Sequence, residues 1–290
     1  MAEVADVLAV LVDRAGRRGL SCRRIGADTI AVEGVRCCFT LSLSDLGRLL
    51  AAESRDLWSA LVDDCLTSGM VGCEIDREAP LDEGDFSAVR MLIRTRLYSS
   101  NDRAADAVRR VLAPGLVQRV VLDAVHTVRP VTYAMLARWP IGEHQLFALA
   151  EANVRGDDPP EIATLALDGV DMGAGLSISL LSGPEYITTH LRWLGEYPGH
   201  GPRGAIAVVP SKRCVYACPA DTMDRAFRAT VVLARLATRA YAERPWPVSP
   251  HVYMWRNGQV DLAAMAARTD DGVAIYPTDD FHGWLATLDG

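Results

Sequence analysis

The stretch of residues 120–155 constrains the fold most, because its apolar pattern changes there from that of a strand to that of a helix. An unbroken apolar run opens it and predicts a strand over 120–128 that is covered on both faces. Thr132 is a good N-cap for a short helix that follows. A second helix over 142–154 carries an apolar stripe on which Asn153 is a polar exception. One strand and two helices in succession indicate a chain that mixes helices with sheet.

The rest of the chain mixes helices with short strands joined by tight turns. Helical spacing over residues 2–18 is followed by three β-prone runs over 21–43, separated by turn signals, and then by a long helix. Near the other end, Asn257-Gly258 separates two strand-like runs and predicts a hairpin. We therefore predict an α+β fold with two mixed helix/sheet lobes, built from mostly antiparallel or mixed short-stranded sheets and hairpins.

A polar, acidic and turn-rich segment at residues 69–86 is the most linker-like part of the first half. It suggests an N-terminal lobe over 1–80 and a central and C-terminal lobe over 81–290. The pattern just beyond predicts a strand over 91–99 and then a short helix over 102–112.

The composition of the chain argues against several classes of function. The 290 residues carry a net charge of −7, which argues against a general nucleic-acid or anionic-membrane surface. No apolar run approaches the roughly 20 residues of a membrane span, and no secretory leader pattern opens the chain. The odd number of scattered cysteines predicts buried free thiols in a cytoplasmic, reducing setting. These are Cys22, Cys37, Cys38, Cys65, Cys73, Cys214 and Cys218.

No motif for catalysis, metal binding or a cofactor is visible. The histidines lack metal-ligand spacing, and the chain has neither a serine nucleophile elbow nor a glycine-rich phosphate loop. Lys212 is the only lysine, and it stands without the glycines that such a loop requires. We therefore expect no catalytic residue, no metal and no cofactor.

The least ordinary feature is the predicted strand that carries Arg94, Arg96 and Tyr98 on one face. Two neighbouring guanidinium groups repel each other unless acidic groups or an anionic ligand offset them. Surface carboxylates such as Glu74 or Asp76 are one source of that offset, and a bound anion is the other.

Two further polar residues complete the candidate binding set of Arg94, Arg96, Tyr98, Asp123 and Asn153. Asp123 lies in an otherwise apolar strand, so its carboxylate needs a partner, which Arg129 or the Arg94/Arg96 pair could supply. The amide of Asn153 must likewise find partners if it is buried.

Several segments resemble the uncharacterised bacterial YtpQ family. That family has an Arg-x-Tyr-Pro-like strand, an aliphatic-Asp strand, a leucine-bearing segment and a helix of the form Leu-x-x-x-Ala-x-x-Asn-Leu. The matching residues here are Arg96-Leu97-Tyr98, Leu122-Asp123, Met135-Leu136 and residues 146–154. The element order is similar over most of the chain, which departs from the family at Ser99 and Val154. The resemblance implies a fold and no established activity.

Three functions compete. We favour a cytosolic, non-catalytic module that binds a protein partner, chaperone-like or immunity-like, because the helix, three-strand, helix opening is similar to small secretion-chaperone domains. The alternative is an enzyme or small-anion sensor in which Arg94 and Arg96 hold the anion and Asp123 or His126 acts as base. In the third, these residues only tie the two halves of the fold together.

Overall fold

A computed structural model describes residues 4–102, 104, 106–124, 127–166 and 174–288. Its contacts divide the chain into two compact units. The first comprises Met1–Leu92 with the short segments Asp123–Arg129 and Glu243–Pro245. The second comprises Ile93–Leu122, Pro130–Ala242 and Trp246–Gly290.

The first unit opens with the predicted helix, three strands and helix. Its strands form an antiparallel sheet in the order β1-β2-β3. The apolar stripe of the first helix packs with the sheet and the later helices in one core that includes Leu11, Ile30 and Leu66. The elements are α1 Val4–Arg17, β1 Ser21–Arg24, β2 Thr29–Glu33, β3 Cys38–Ser42, α2 Leu43–Ala51, a 3₁₀ turn Arg55–Leu57, α3 Trp58–Glu78, α4 Phe86–Val89 and a 3₁₀ turn Arg90–Leu92.

The linker predicted at residues 69–86 is wrong over its first half, because α3 continues to Glu78. Gly69 lies inside this helix, where a Cβ atom would come within 2.3 Å of the Phe39 ring. The glycine is therefore needed for the close approach of α3 to β3, and it does not mark a chain break. The predicted long helix is also divided, since α2 ends at Ala51 before α3 begins.

A second sheet follows, with β6 between β4 and β5 and with β7 also paired to β6. The described pairs of β6 with β4 and β5 are antiparallel. Thr132 caps the next helix by accepting a hydrogen bond from the Met135 amide, as predicted. The elements are β4 Ile93–Ser99, β5 Arg109–Ala113, β6 Leu116–Ala124, β7 Thr127–Pro130, α5 Tyr133–Leu136 and α6 Glu143–Gly156.

The predicted helix over 102–112 is wrong over 109–112, which belong to β5. Pro114-Gly115 turns that strand directly into β6, and Gly115 has a positive φ of 85° that suits the third position of a type II turn. The predicted strand over 120–128 also starts too late, because β6 begins at Leu116. The proline-glycine pair that follows the predicted helix is therefore a hairpin turn.

The third sheet has seven antiparallel strands in the order β14-β13-β12-β10-β11-β9-β8. Asn257 and Gly258 both have positive φ, which confirms the predicted hairpin between β12 and β13. The elements are β8 Glu161–Ala166, β9 Ser177–Ser182, a 3₁₀ segment Ile187–Glu196, β10 Ala205–Ser211, β11 Cys214–Pro219, α7 Met223–Glu243, β12 Val252–Arg256, β13 Gln259–Thr269, β14 Gly272–Pro277 and α8 Asp279–Ala286.

Helices with these antiparallel sheets confirm the α+β class. In the second unit, residues of α7 and α8, such as Leu233 and Phe281, share one core cluster with strand residues such as Met254. The 3₁₀ segment contributes Ile187, Leu191 and Leu194 to a second cluster, which also contains Leu97 of β4. The 3₁₀ segment therefore packs both with strands of the seven-stranded sheet and with β4, the strand that carries the candidate arginines.

Only Cys214 and Cys218 are buried, so the prediction of seven buried thiols is wrong for the other five. All seven are free. Among the described residues, none of the helices combines the length and the apolar character that a membrane crossing requires.

Candidate functional site

The strand β4 holds Arg94, Arg96 and Tyr98 on one face because it pairs with β6 without a bulge from Ile93 to Ser99. Two hydroxyl groups of the 3₁₀ segment also hold the backbone of β4 in place. The Thr188 hydroxyl accepts from the Leu97 amide at 3.1 Å, and the Thr189 hydroxyl donates to the Thr95 carbonyl at 2.5 Å. The position of the face is therefore set by backbone bonds and not by the arginines themselves.

Three arginines form a row across the second sheet. Arg96 of β4 is paired with Arg119 of β6, and Arg119 is paired on its other side with Arg109 of β5. Directly opposed residues in antiparallel strands project from the same face, and like charges at such positions destabilise the sheet. The row runs from two buried arginines, Arg96 and Arg119, to the exposed Arg109.

Aromatic rings separate these cations. The guanidinium of Arg119 lies 4.2 Å from the Tyr98 ring centroid, and the Lys212 ammonium lies 4.5 Å from the same centroid. Arg96 stacks on Tyr186 at 4.8 Å. Cation–π contacts stabilise a buried cation without neutralising it. We call Arg96, Tyr98, Arg109, Arg119 and Lys212 the Tyr98 cluster.

The carboxylates that offset the cluster lie near the surface. Arg96 contacts Glu185, whose side chain is 56% exposed, and Arg119 lies 3.3 Å from Asp102, which is 40% exposed. The side chains of Arg96 and Arg119 themselves are only 5% and 4% exposed. Both guanidinium groups also bond to a backbone carbonyl. Their buried Nε atoms have no hydrogen-bond partner among the described residues.

Burial raises the pKa of the Tyr98 phenol, against the opposing influence of Arg96 and Arg119. The phenol is therefore neutral at pH 7 and adds no negative charge. Buried guanidinium groups whose acidic partners lie near the surface are an arrangement that favours an anionic ligand.

The other candidate residues have separate roles. Arg94 forms two hydrogen bonds of 2.8 Å with Asp157, and the Asn153 amide donates to the Ile93 carbonyl at 2.9 Å. Asp123 belongs to the first unit and is half-buried.

The suggested partners differ from those observed. Arg94 and Arg96 contact Asp157 and Glu185 instead of Glu74 or Asp76. The described ion pairs of Arg129 go to Asp76 and Glu83. His126, the other candidate base, lies outside the described residues.

A second group of arginines lies in the same unit, and we call it the Glu151 network. One carboxylate oxygen of Glu151 lies 2.5 Å from Arg110, 2.9 Å from Gln118 and 2.9 Å from Arg192. Burial and the neighbouring Arg192 lower the pKa of Arg110, against the attraction of Glu151. Here the carboxylate is itself only 18% exposed.

A buried histidine lies on the 3₁₀ segment that supports β4. The Nδ1 atom of His190 lies 2.6 Å from the Tyr197 hydroxyl, and its ring packs edge-on against Trp193. Burial lowers the pKa of His190 to about 4, and Arg155 acts in the same direction. The ring is therefore neutral at pH 7.

Sequence reasoning missed Arg109, Arg119 and Lys212. The signal for Arg119 was the pair Gln118-Arg119, which is polar inside the apolar strand β6. The start predicted for that strand at residue 120 excluded it. Lys212 was visible as the only lysine of the chain.

Among the described residues, no group of three or more histidine, cysteine, aspartate or glutamate side chains could hold a metal ion. Comparison of the chain with protein-family models, with curated proteins and with solved structures finds no match.

Proposed function

We propose that the second unit binds a small oxyanion at the Tyr98 cluster, so that the protein acts as a ligand-binding or sensing module. One observation carries the proposal. Arg96 and Arg119 are buried opposite one another, whereas the carboxylates that offset them are 56% and 40% exposed. An oxyanion would add charge-assisted hydrogen bonds to donors that the fold already holds in place.

The oxyanion proposal is better supported than the protein-partner hypothesis at these residues. A protein surface needs exposed anchors, whereas Arg96 and Tyr98 are buried. A catalytic role receives less support, because the described ion pairs of Arg94 and Arg96 go to Asp157 and Glu185 and not to the suggested base Asp123. Relationship to the YtpQ family and a cytoplasmic location stay predictions, and neither adds an activity.

The single lysine allows a direct test of this proposal. An amine-reactive ester should acylate Lys212 and the N-terminal amine, and mass spectrometry gives the rate at each. At constant ionic strength, phosphate or sulfate should slow acylation of Lys212 in a saturable way, because the bound anion covers its ammonium group. The rate at the N-terminal amine should not change.

Arg119→Gln should abolish this protection. Arg268→Gln is the matched control, since Arg268 is an exposed arginine on another strand, β13. Isothermal titration with the same anions gives an independent affinity. An acylation rate of Lys212 that is the same with and without each anion, together with no heat of binding, would rule the proposal out.

A further inference from the structure

Two free thiols lie next to each other in the first unit, where α3 packs on the start of β3. The thiol of Cys73 on α3 donates a hydrogen bond to the Cys38 carbonyl at 3.5 Å. The side chain of Cys37, the residue just before β3, is in turn hydrogen-bonded to Cys73. Both cysteines are half-buried, so a small solute can reach them.

The local sequence explains why these two side chains face each other. Cys37 and Phe39 alternate with exposed residues, and both pack against the core of the first unit. Gly69 and Cys73 are four residues apart, so they lie on one face of α3. Because Gly69 has no side chain, that face can approach the Phe39 ring closely. One turn further along α3, the same approach brings Cys73 to Cys37.

We infer that Cys37 and Cys73 form a reversible disulfide bond when a hydroperoxide oxidises the protein. Hydrogen peroxide oxidises one thiol to a sulfenic acid and is itself reduced to water. The second thiol then attacks that sulfur, the sulfur–sulfur bond forms and a second water leaves. A dithiol restores both thiols by exchange and becomes a disulfide itself. The site is independent of the proposed anion site.

Proximity distinguishes this pair from the other cysteines. A thiol held beside a sulfenic acid attacks it as an intramolecular nucleophile, at an effective concentration far above that of any free thiol. Burial, and then the neighbouring Cys73, raises the pKa of Cys37, which slows its own reaction with an oxidant. Burial also raises the pKa of Cys22 and Cys65. The neighbouring sulfur, and not the ionisation of the thiol, therefore singles out Cys37.

The disulfide bond would have a mechanical consequence in the first unit. It joins the residue before β3 to the C-terminal part of α3 and closes residues 37–73 into a loop that contains α2. Such a cross-link lowers the entropy of the unfolded chain. Oxidation should therefore raise the urea concentration at which the protein unfolds, and a dithiol should reverse the rise.

The test uses the full-length protein, first reduced, then treated with hydrogen peroxide and finally alkylated with N-ethylmaleimide in urea. The number of alkylated cysteines, counted by intact mass, should fall by two from seven, and dithiothreitol should restore it. Tryptic mapping without reduction should show two peptides joined. One contains Cys37 and Cys38 and the other contains Cys65 and Cys73, so substitutions are needed to assign the bond.

Cys37→Ala and Cys73→Ala should each prevent the loss of two thiols, whereas Cys38→Ala and Cys65→Ala should leave it unchanged. Cys38 is the sharper control, because it is exposed and adjacent in the chain to Cys37. If exposure alone determined which thiol reacts, Cys38→Ala would remove the bond and Cys37→Ala would not.

Several results would overturn the inference. They are seven alkylated thiols in the peroxide-treated wild type, a bond that survives Cys37→Ala, and oxidation of either cysteine to a sulfinic acid in place of the bond. The wild-type measurement decides the matter even where a variant folds poorly. None of these results bears on anion binding, which the acylation of Lys212 measures separately.

Discussion

The Tyr98 cluster and the Glu151 network use similar side chains in one unit, yet they differ in where the offsetting carboxylate lies. In the Glu151 network, Arg110 and Arg192 share a carboxylate that is 18% exposed. In the Tyr98 cluster, Arg96 and Arg119 are nearly fully buried, while their carboxylates are 56% and 40% exposed. In the Glu151 network the carboxylate is mostly shielded from water. In the Tyr98 cluster the carboxylates are in contact with water although the arginines are not.

This difference indicates different roles. A partly buried carboxylate oxygen that accepts two hydrogen bonds and also contacts Arg192 is used by the fold, because little acceptor capacity is left for a ligand on that atom. An exposed carboxylate is already solvated and can move aside, so the buried cation it contacts can accept another anion. Arginine content alone does not distinguish the two, whereas the exposure of the acidic partner does.

The largest effect should come from Glu151→Gln. The change leaves Arg110 and Arg192 close together without their shared negative charge, which costs much more than the loss of one surface ion pair. We expect the free energy of unfolding to fall by about 3 kcal/mol, measured by urea denaturation at pH 7.5.

Glu196→Gln is the control for this substitution. Glu196 pairs with Arg155 at the surface, and its side chain is 55% exposed, so its loss should cost less than about 1 kcal/mol. Equal costs for the two variants would mean that the burial of the carboxylate does not separate the two kinds of site.

The next effect concerns His190, which the fold buries in its neutral form. The folded-state pKa of His190 is about 4, below the value of about 6.5 in an unfolded chain. Its contribution is present above pH 6.5 and is lost as the pH falls, because the unfolded state then binds a proton that the folded state does not. We expect a loss of about 2 kcal/mol between pH 7.5 and pH 5, measured by urea denaturation.

His190→Gln should flatten this part of the pH profile, and His144→Gln should leave it unchanged because His144 is exposed on α6. A wild-type profile that is no steeper than that of His190→Gln would show that His190 is not the titrating group. The result also separates the pH dependence of folding from that of anion binding.

Much of the fold could be predicted because local signals set it. The capping threonine Thr132, the Asn257-Gly258 turn and the apolar stripe of α1 each act within a few residues. The errors arose where a residue's role depends on a distant partner. Gly69 resembles a linker residue until its contact with Phe39 is known.

The candidate site was predicted only in part, for the same reason. The face that carries Arg96 and Tyr98 follows from strand alternation alone. The pairing of Arg96 with Arg119, and the approach of Lys212 to Tyr98, depend on strand register and on a turn more than one hundred residues away. Periodicity within a single segment contains no information about either.

The smallest effect on stability should come from Glu185→Gln. The same substitution should strengthen the binding of the anion. Glu185 is more than half exposed, so the free energy of unfolding should change by less than about 1 kcal/mol. The change removes one negative charge beside the cluster, because Arg96 loses its acidic partner. Phosphate should therefore bind several-fold more tightly, measured by isothermal titration at pH 7.5. Weaker binding would mean that Glu185 orients Arg96 for the ligand, and a large loss of stability would place this ion pair in the same class as Glu151.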